Sequence, residues 1–416
     1  MKIAGIMSVS AKQFPSPDSP LSDSRDHGQG ALNAEWSKSL GRSTNPIVPE
    51  TTDVFVIGGG PAGLAAAITA RRRGFRVVVA DGAQPPIDKA CGEAFLPDGL
   101  EALERLGIQV PFGDTYRFYG IRFLTSSLSA EAQFPGCGSG LTVRRTVLHG
   151  IMSEHAARLG ADLLWRTSVT GISRDGVSVG GRFVRARWIV GADGLNSRVR
   201  RWANLEAGSK PRMRYAFRRH FNIAPWTDHM EVYWGDRCQG YSVGVGPSQV
   251  CVALASHDPN LRLEDGLREL PALQARLRGV ATMSSERGAP TGNRQLRRVW
   301  RGNVALIGDA SGTVDAITGE GLGMAFSQAA ALAECFVASD LNRYQVEHRR
   351  LALRPHWMAR MLLLLDGRPG LQQRTLQAFR KHPRVFPRLL GLHVGALPPL
   401  DLVRDGITLG WGLLTA

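Results

Sequence analysis

Apolar positions are sparse over the first fifty residues, where Ser, Pro, Asp, Gly and Asn dominate. Such a stretch buries too little surface to offset chain entropy, so a disordered leader is expected over 1–50, unless the start codon is assigned too far upstream. The pattern changes at Asp53. Val54–Ile57 is a short all-apolar run suited to a strand covered on both faces. Alanine-rich Ala62–Arg73 then reads as a helix whose basic last turn complements the negative end of its dipole, with Gly74 as its stop. Val77–Ala80 is a second buried strand, ending at Asp81.

Downstream, "EALERLGI" has the spacing of a short amphipathic helix, and "TVLHGIMSEHAARLGADLLW" that of a longer helix followed by a strand. Thr167–Val190 alternates around Asp175-Gly176 and Gly180-Gly181 like hairpin strands. From Arg212 to Ser256 the pattern is β-like and rich in Tyr, Trp, Val and Gly. "RGNVALIGDASG" is a further strand and turn, and "GLGMAFSQAAALAECFVA" a small-residue helix. Residues 343–416 read as Arg- and Leu-rich helices broken by Pro and Gly.

Composition narrows the class. With 43% hydrophobic and 21% charged residues, no uninterrupted apolar run of spanning length and no apolar signal segment near Met1, a soluble cytoplasmic enzyme is expected. Net charge is +15, and all but six of the 51 basic residues are arginine. A basic chain suits nucleic acid or an anionic membrane surface, but no nucleic-acid motif accompanies the charge, so no nucleic-acid partner is expected. The five cysteines have no C-x-x-C spacing, which argues against a disulfide scaffold or a zinc site; no metal is expected.

The chemistry-bearing signal is Gly58-x-Gly60-x-x-Gly63 between the first strand and the first helix. In such a turn the first glycine permits the bend, the second lets a pyrophosphate approach the backbone, and the third lets helix and strand pack closely. The helix start at Ala62 offers free N–H groups to phosphate. Asp81, at the end of the second strand, stands where an acid can bind both hydroxyls of an adenosine ribose. Two further turns follow strands: Asp193-Gly194 in "IVGADGLNSRVRR", and Gly308-Asp309 in "NVALIGDASGTVDAITGEGLGMA".

In order and spacing, these three motifs over residues 53–335 resemble the fingerprints of the flavoprotein superfamily that contains para-hydroxybenzoate hydroxylase, the group A monooxygenases, the flavin halogenases and the geranylgeranyl reductases. The resemblance implies an α/β fold: a Rossmann-like FAD-binding domain with a doubly wound parallel sheet, an inserted mixed β-sheet substrate domain and a helical C-terminal tail. The expected segments are a first FAD-binding part over 51–130, a second over 131–200, the substrate sheet over 201–290, the last FAD-binding part over 291–342 and the helical region over 343–416.

It also implies roles. Asp309, beside Gly308, binds a ribityl hydroxyl of FAD. Gly319, Gly321 and Leu322 place a helix N-terminus at the pyrimidine edge of the flavin, where its dipole stabilises negative charge. Asp193 lies near the pyrophosphate, and Arg145 starts a helix that touches FAD, or is a surface charge at that helix start. The aromatic residues of 212–256 line a substrate pocket or form ordinary sheet core. No second dinucleotide motif exists, so NAD(P)H, the expected electron donor, binds transiently; a ferredoxin-like donor is the alternative.

"KACGE" is most similar to the geranylgeranyl reductase branch, in which this cysteine lies near the flavin. Cys91 and Gly92 are therefore expected at the cofactor, and Cys91, Glu93 and His220 are the catalytic candidates. A lone histidine is also an ordinary structural residue, and Cys91 an ordinary small one. Two reactions stay open: hydride transfer to a C=C bond of a hydrophobic, prenyl-type substrate, or hydroxylation or epoxidation through a flavin C4a-hydroperoxide. Halogenation is disfavoured by the missing W-x-W-x-I-P element, and a non-catalytic flavoprotein by the intact fingerprints. The basic tail is either a helical cap on the FAD-binding domain or a peripheral contact with an acidic membrane surface that gives access to a lipid.

Overall fold

The computed structural model describes residues 48–206 and 213–398. Most of the expected leader, the segment 207–212 and the end of the tail fall outside the described residues.

Two sheets organise the chain. In the first, Thr51–Ile57 is central; it pairs in parallel with Val77–Ala80 on one side and Arg182–Gly191 on the other. Asp162–Leu164 and Val304–Leu306 extend the parallel run outward, and an antiparallel hairpin, Val169–Ile172 with Gly176–Val179, is attached to Arg182–Gly191. The runs that read as apolar throughout are buried throughout, as parallel strands covered on both faces must be. Helix Pro61–Arg72 packs on this sheet, and helices Arg145–Arg158 and Gly321–Ala338 pack against that helix. Gly321–Ala338 has the length and hydropathy of a membrane span, but half of it is buried against neighbouring helices.

The second sheet has seven strands in the order Arg287–Gly292, Met213–Asn222, Gln249–Ser256, Cys238–Gly246, His229–Trp234, Gly120–Leu124 and Ser129–Gln133. Its last two strands come from the stretch before the first helix of the second expected segment, so residues 120–133 serve this sheet rather than the parallel one. His229–Trp234 pairs with Gly120–Leu124 in parallel; every other pair is antiparallel.

Each face of the second sheet has its own core. Phe217, Phe221, Tyr233 and Leu254 pack under the short helices Leu263–Leu267 and Pro271–Leu277. Phe123, Trp234 and Val243 pack with Leu376, Phe379, Phe386 and Leu390 from the C-terminal helices Pro369–Lys381 and Val385–His393. The tail is therefore helical and capping, but much of what it caps is the second sheet. The aromatic residues of 212–256 are mostly core, while Tyr241, half-buried, reaches out of the sheet to donate its hydroxyl to Gly92 O at 2.8 Å.

Candidate functional site

The glycine turn has the shape that dinucleotide binding requires. Gly58 has φ +110°, and a Cβ there would stand 2.4 Å from Ala192 O; a Cβ on Gly63 would stand 1.8 Å from Gly58 O. Around Gly60, in contrast, nothing lies within 4 Å of a Cβ position. The first and third glycines are thus demanded by the protein's own packing, and the second by none of the described residues. Gly60 caps helix Pro61–Arg72, whose N-terminus has neither a side-chain cap nor an acid in its first turn. That end presents positive dipole and unpaired N–H groups to an anion. Asp81 closes the turn by accepting from Gly59 N at 2.7 Å and Ala83 N at 2.8 Å.

His149 braces the turn from behind. Its Nε2 is 2.9 Å from Gly59 O, and a carbonyl only accepts, so Nε2 carries the hydrogen. Burial pushes the imidazole down to about 4, which keeps it neutral. Arg145 heads the same helix and is buried, and the Nε atoms of Arg144 and Arg145 are both buried without a partner. An open backbone approach, an uncapped helix start and orphaned guanidinium nitrogens fit the anionic, hydrogen-bonding surface of FAD.

The later fingerprints converge on this turn. A Cβ on Gly308 would meet Ala62 at 2.8 Å, so the Gly308-Asp309 turn backs onto the first helix start. Asp309 Oδ2 pairs with Lys89 Nζ at 3.1 Å. Gly319, Gly321 and Leu322 lead into helix Gly321–Ala338, which also starts without a side-chain cap or an acid in its first turn. Asp193 behaves differently. Its carboxylate accepts from Ser197 Oγ at 2.5 Å and from Arg198 N and Val199 N at 2.6 and 3.1 Å, so it caps the short helix Arg198–Trp202.

The loop Asp88–Glu93 lies on the seam between the sheets. On one side Lys89 meets Asp309, and Glu93 Oε1 accepts from Arg145 N at 2.9 Å. On the other side Tyr241 meets Gly92, and Glu93 Oε2 lies 2.6 Å from His220 Nε2. Cys91 is half-buried, with its Sγ 3.3 Å from Glu93 N. Two residues of one loop and a histidine far downstream, all singled out from the sequence, thus form one cluster. Glu93 has φ 62°, a left-handed conformation that an ordinary side chain adopts at a cost. Both of its carboxylate oxygens are tied down, which holds that conformation in place.

The hydrogen positions of the cluster follow from its donors. Arg218 Nη1 is 3.1 Å from His220 Nδ1, and a guanidinium only donates, so Nδ1 is an acceptor. A single hydrogen therefore sits between His220 Nε2 and Glu93 Oε2. Arg218 also pairs with Asp88 Oδ1 at 2.6 Å, and Arg287 with Asp88 Oδ2 at 3.2 Å, so the buried carboxylates face compensating cations. Cys251, opposite His220 in the strand register, brings its thiol into the same group; the ligand atoms of Glu93, His220 and Cys251 lie within 4.8 Å of one another. Arg218 supplies the positive charge there, a guanidinium being a poor neighbour for a metal cation. Burial and the nearby Glu93 carboxylate push the Cys251 thiol well above its usual range.

Arg218, Asp88 and His149 were not foreseen. Arg218 had a signal: in "FRRHF", within strand Met213–Asn222, Phe217 and Phe221 face the helices while Arg218 and His220 face the seam, so the two-residue period separates apolar from chemical positions. Asp88 and His149 had none, because only the tertiary fold brings them to the cluster and the turn.

The family described as FAD binding domain matches residues 51–340. The menaquinone reductase of Mycolicibacterium smegmatis is 29% identical over 360 residues, spanning 78% of this chain and 86% of the relative. Digeranylgeranylglycerophospholipid reductase 1 of Methanothermobacter thermautotrophicus is 28% identical over 329 residues, spanning 73% and 81%. The crystal structure of a geranylgeranyl bacteriochlorophyll reductase-like protein from Thermoplasma acidophilum superimposes with a TM-score of 0.67 at 21% identity, over 76% of this chain and 89% of the other, a likeness of fold.

Proposed function

The chain belongs to the FAD-binding domain family and is an FAD-dependent oxidoreductase, and from that premise we propose that it reduces a carbon–carbon double bond of a hydrophobic, prenyl-type substrate. The observation that carries this reading is the buried Glu93–His220 pair beside Cys91 on the seam loop. Saturating a C=C bond adds a hydride to one carbon and a proton to the other. FAD, when bound and reduced, supplies the hydride; NAD(P)H is the proposed source of its electrons.

The protein's own part is the proton. The hydrogen between His220 Nε2 and Glu93 Oε2 belongs to a neutral imidazole facing a carboxylate, so it stays in place; with Arg218 on Nδ1 it fixes the buried pair and the loop that carries Cys91. Cys91, the less buried member, is the group that gives its thiol proton to the substrate carbon and regains one from water, with the pair holding it in position. Gly58, Gly60, Ala62, Gly63, Asp81, Arg145, Gly308, Asp309, Gly319, Gly321 and Leu322 hold FAD around the two helix starts, and Gly92 lies along its ring. Asp193 supports the cofactor by holding its own turn.

A lipid substrate suits the outer face of helix Leu341–Leu363. Val346, Leu353, Met361 and the adjoining Leu364 are exposed there, among exposed Arg349, Arg350 and Arg360. Apolar and arginine side chains on one helix face suit a peripheral position on an anionic membrane.

The test is anaerobic mixing of the NAD(P)H-reduced, FAD-loaded protein with prenyl lipids. Flavin reoxidation with a product two hydrogens heavier is expected. Reoxidation only with oxygen, giving a hydroxylated or epoxidised product, would replace this reading by monooxygenation. A protein that binds no added FAD would overturn both.

A further inference from the structure

The loop before helix Gly321–Ala338 contains a further buried acid, Glu320, outside the Glu93 cluster. Three helices close on it. Arg354, from helix Leu341–Leu363, lies 3.2 Å from Glu320 Oε1 and also pairs with Asp98 of helix Pro97–Arg105. His393, from helix Val385–His393, places its Nδ1 3.6 Å from Glu320 Oε2. His393 Nε2 lies 2.9 Å from Thr318 O and so carries the hydrogen, which leaves Nδ1 as a lone pair. Glu320 Oε2 and His393 Nδ1 are both buried, and neither has a hydrogen-bond partner among the described residues.

Two acceptors that face each other out of water repel unless a proton lies between them. The charges give the same count. Arg354 is one cation against two carboxylates, Asp98 and Glu320, so with both ionised the buried group carries an uncompensated negative charge. One added proton makes it neutral.

We propose that Glu320 and His393 share one buried proton that sets the charge at the flavin-facing end of helix Gly321–Ala338, so that the C-terminal helices tune the reduction potential of the cofactor. The inference rests on the reading that this helix start lies at the flavin edge. Burial pushes the Glu320 carboxyl up to about 8 and the His393 imidazole down to about 4, which puts the proton on Glu320. Arg354 works against that rise and Asp98 reinforces it; burial also raises Asp98 itself. While Glu320 is neutral, the helix dipole acts unopposed on negative charge gained by the flavin. Once Glu320 ionises, its charge opposes that gain. Glu320 and His393 are positioning residues here, acting through the helix start.

The experiment is spectroelectrochemical titration of the FAD-loaded protein across pH. The wild-type midpoint potential is expected to fall more steeply through about pH 8, and Glu320→Gln to remove that inflection. An inflection unchanged in Glu320→Gln, or absent from flavin-loaded wild type, overturns the proposal. Infrared pH-difference spectra of the flavin-free chain read the proton separately. A carboxylic C=O band should disappear through about pH 8 in wild type and at lower pH in Asp98→Asn, where the charge that reinforces the rise is gone. Its absence from both overturns the proposal even if Glu320→Gln fails to fold. Failure to retain flavin would instead strike at the cofactor reading, with the infrared band still deciding the proton.

Discussion

Glu93 Oε2 and His220 Nε2 lie 2.6 Å apart with both side chains buried, joining the seam loop to the second sheet through one hydrogen. Because Arg218 occupies the other imidazole nitrogen, that hydrogen has no second site on the ring. Glu93→Gln keeps an oxygen for Arg145 N but turns an amide N–H towards the His220 Nε2–H, so the loop that holds the Cys91 thiol loses its anchor. Turnover is expected to fall roughly 10²- to 10⁴-fold, the range for losing a general acid, while bound FAD per chain is unchanged. Single-turnover kinetics beside the flavin absorbance measure both.

Gly60 and Gly63 should separate binding from folding. Gly60→Val has space in the chain itself and an ordinary extended backbone, φ −69° and ψ 175°. It should leave the melting temperature of the flavin-free protein unchanged and weaken FAD binding by roughly 100-fold or more, because the side chain fills the pyrophosphate approach. Gly63→Ala puts a Cβ against Gly58 O and should lower the melting temperature itself.

Cys91→Ser should slow turnover with FAD retained. Wild-type turnover in this variant would leave Cys91 as a small residue whose sulfur accepts from Glu93 N.

Stability should depend on pH with two opposing slopes. Burial holds His149, His348, His356 and His393 down at about 4, against 6.5 for the free group. The unfolded chain takes up these protons first, so stability is lost as pH falls from 6.5 towards 4, by on the order of a few kcal/mol per histidine. Glu320 acts in the opposite sense. Its carboxyl is raised from 4.5 to about 8, so the folded chain holds a proton that the unfolded chain has released, and stability is lost as pH rises through that window. Urea unfolding of the flavin-free protein across pH should show both limbs, and Glu320→Gln should flatten only the alkaline one.

Membrane contact should be electrostatic in part. Replacing Arg349, Arg350 and Arg360 by Glu is expected to abolish flotation with anionic vesicles, and high salt to weaken it in the wild type. Neutral vesicles should bind little of either protein.

The parallel sheet and its cofactor turn were legible because their signals are local. A buried strand, a glycine turn and a helix follow one another within thirty residues, and each obeys a short-range rule. The places of Asp81 and Gly308 beside that turn follow from equally local patterns. Cys91, Glu93 and His220 were picked as residue types, but their contact was not readable, since it depends on how strand Met213–Asn222 docks against the seam loop. Asp193 shows the reverse: an acid in a fingerprint reads as a ligand group, yet its oxygens serve three donors of its own turn. Strand Gly120–Leu124 was missed because its partner, His229–Trp234, comes so much later in the chain that no local pattern announces the pairing.

The parallel sheet also has a timing consequence. Strand Thr51–Ile57 leaves the ribosome early, but Arg182–Gly191 and then Val304–Leu306, needed to finish that side of the sheet, emerge much later. At about 5–20 residues per second the first strand waits on the order of ten seconds or more with an apolar edge unpaired. The nascent chain should therefore be at its most aggregation-prone while its N-terminal half is already made, and expression should respond more to chaperone supply and translation rate than to the stability of the finished fold.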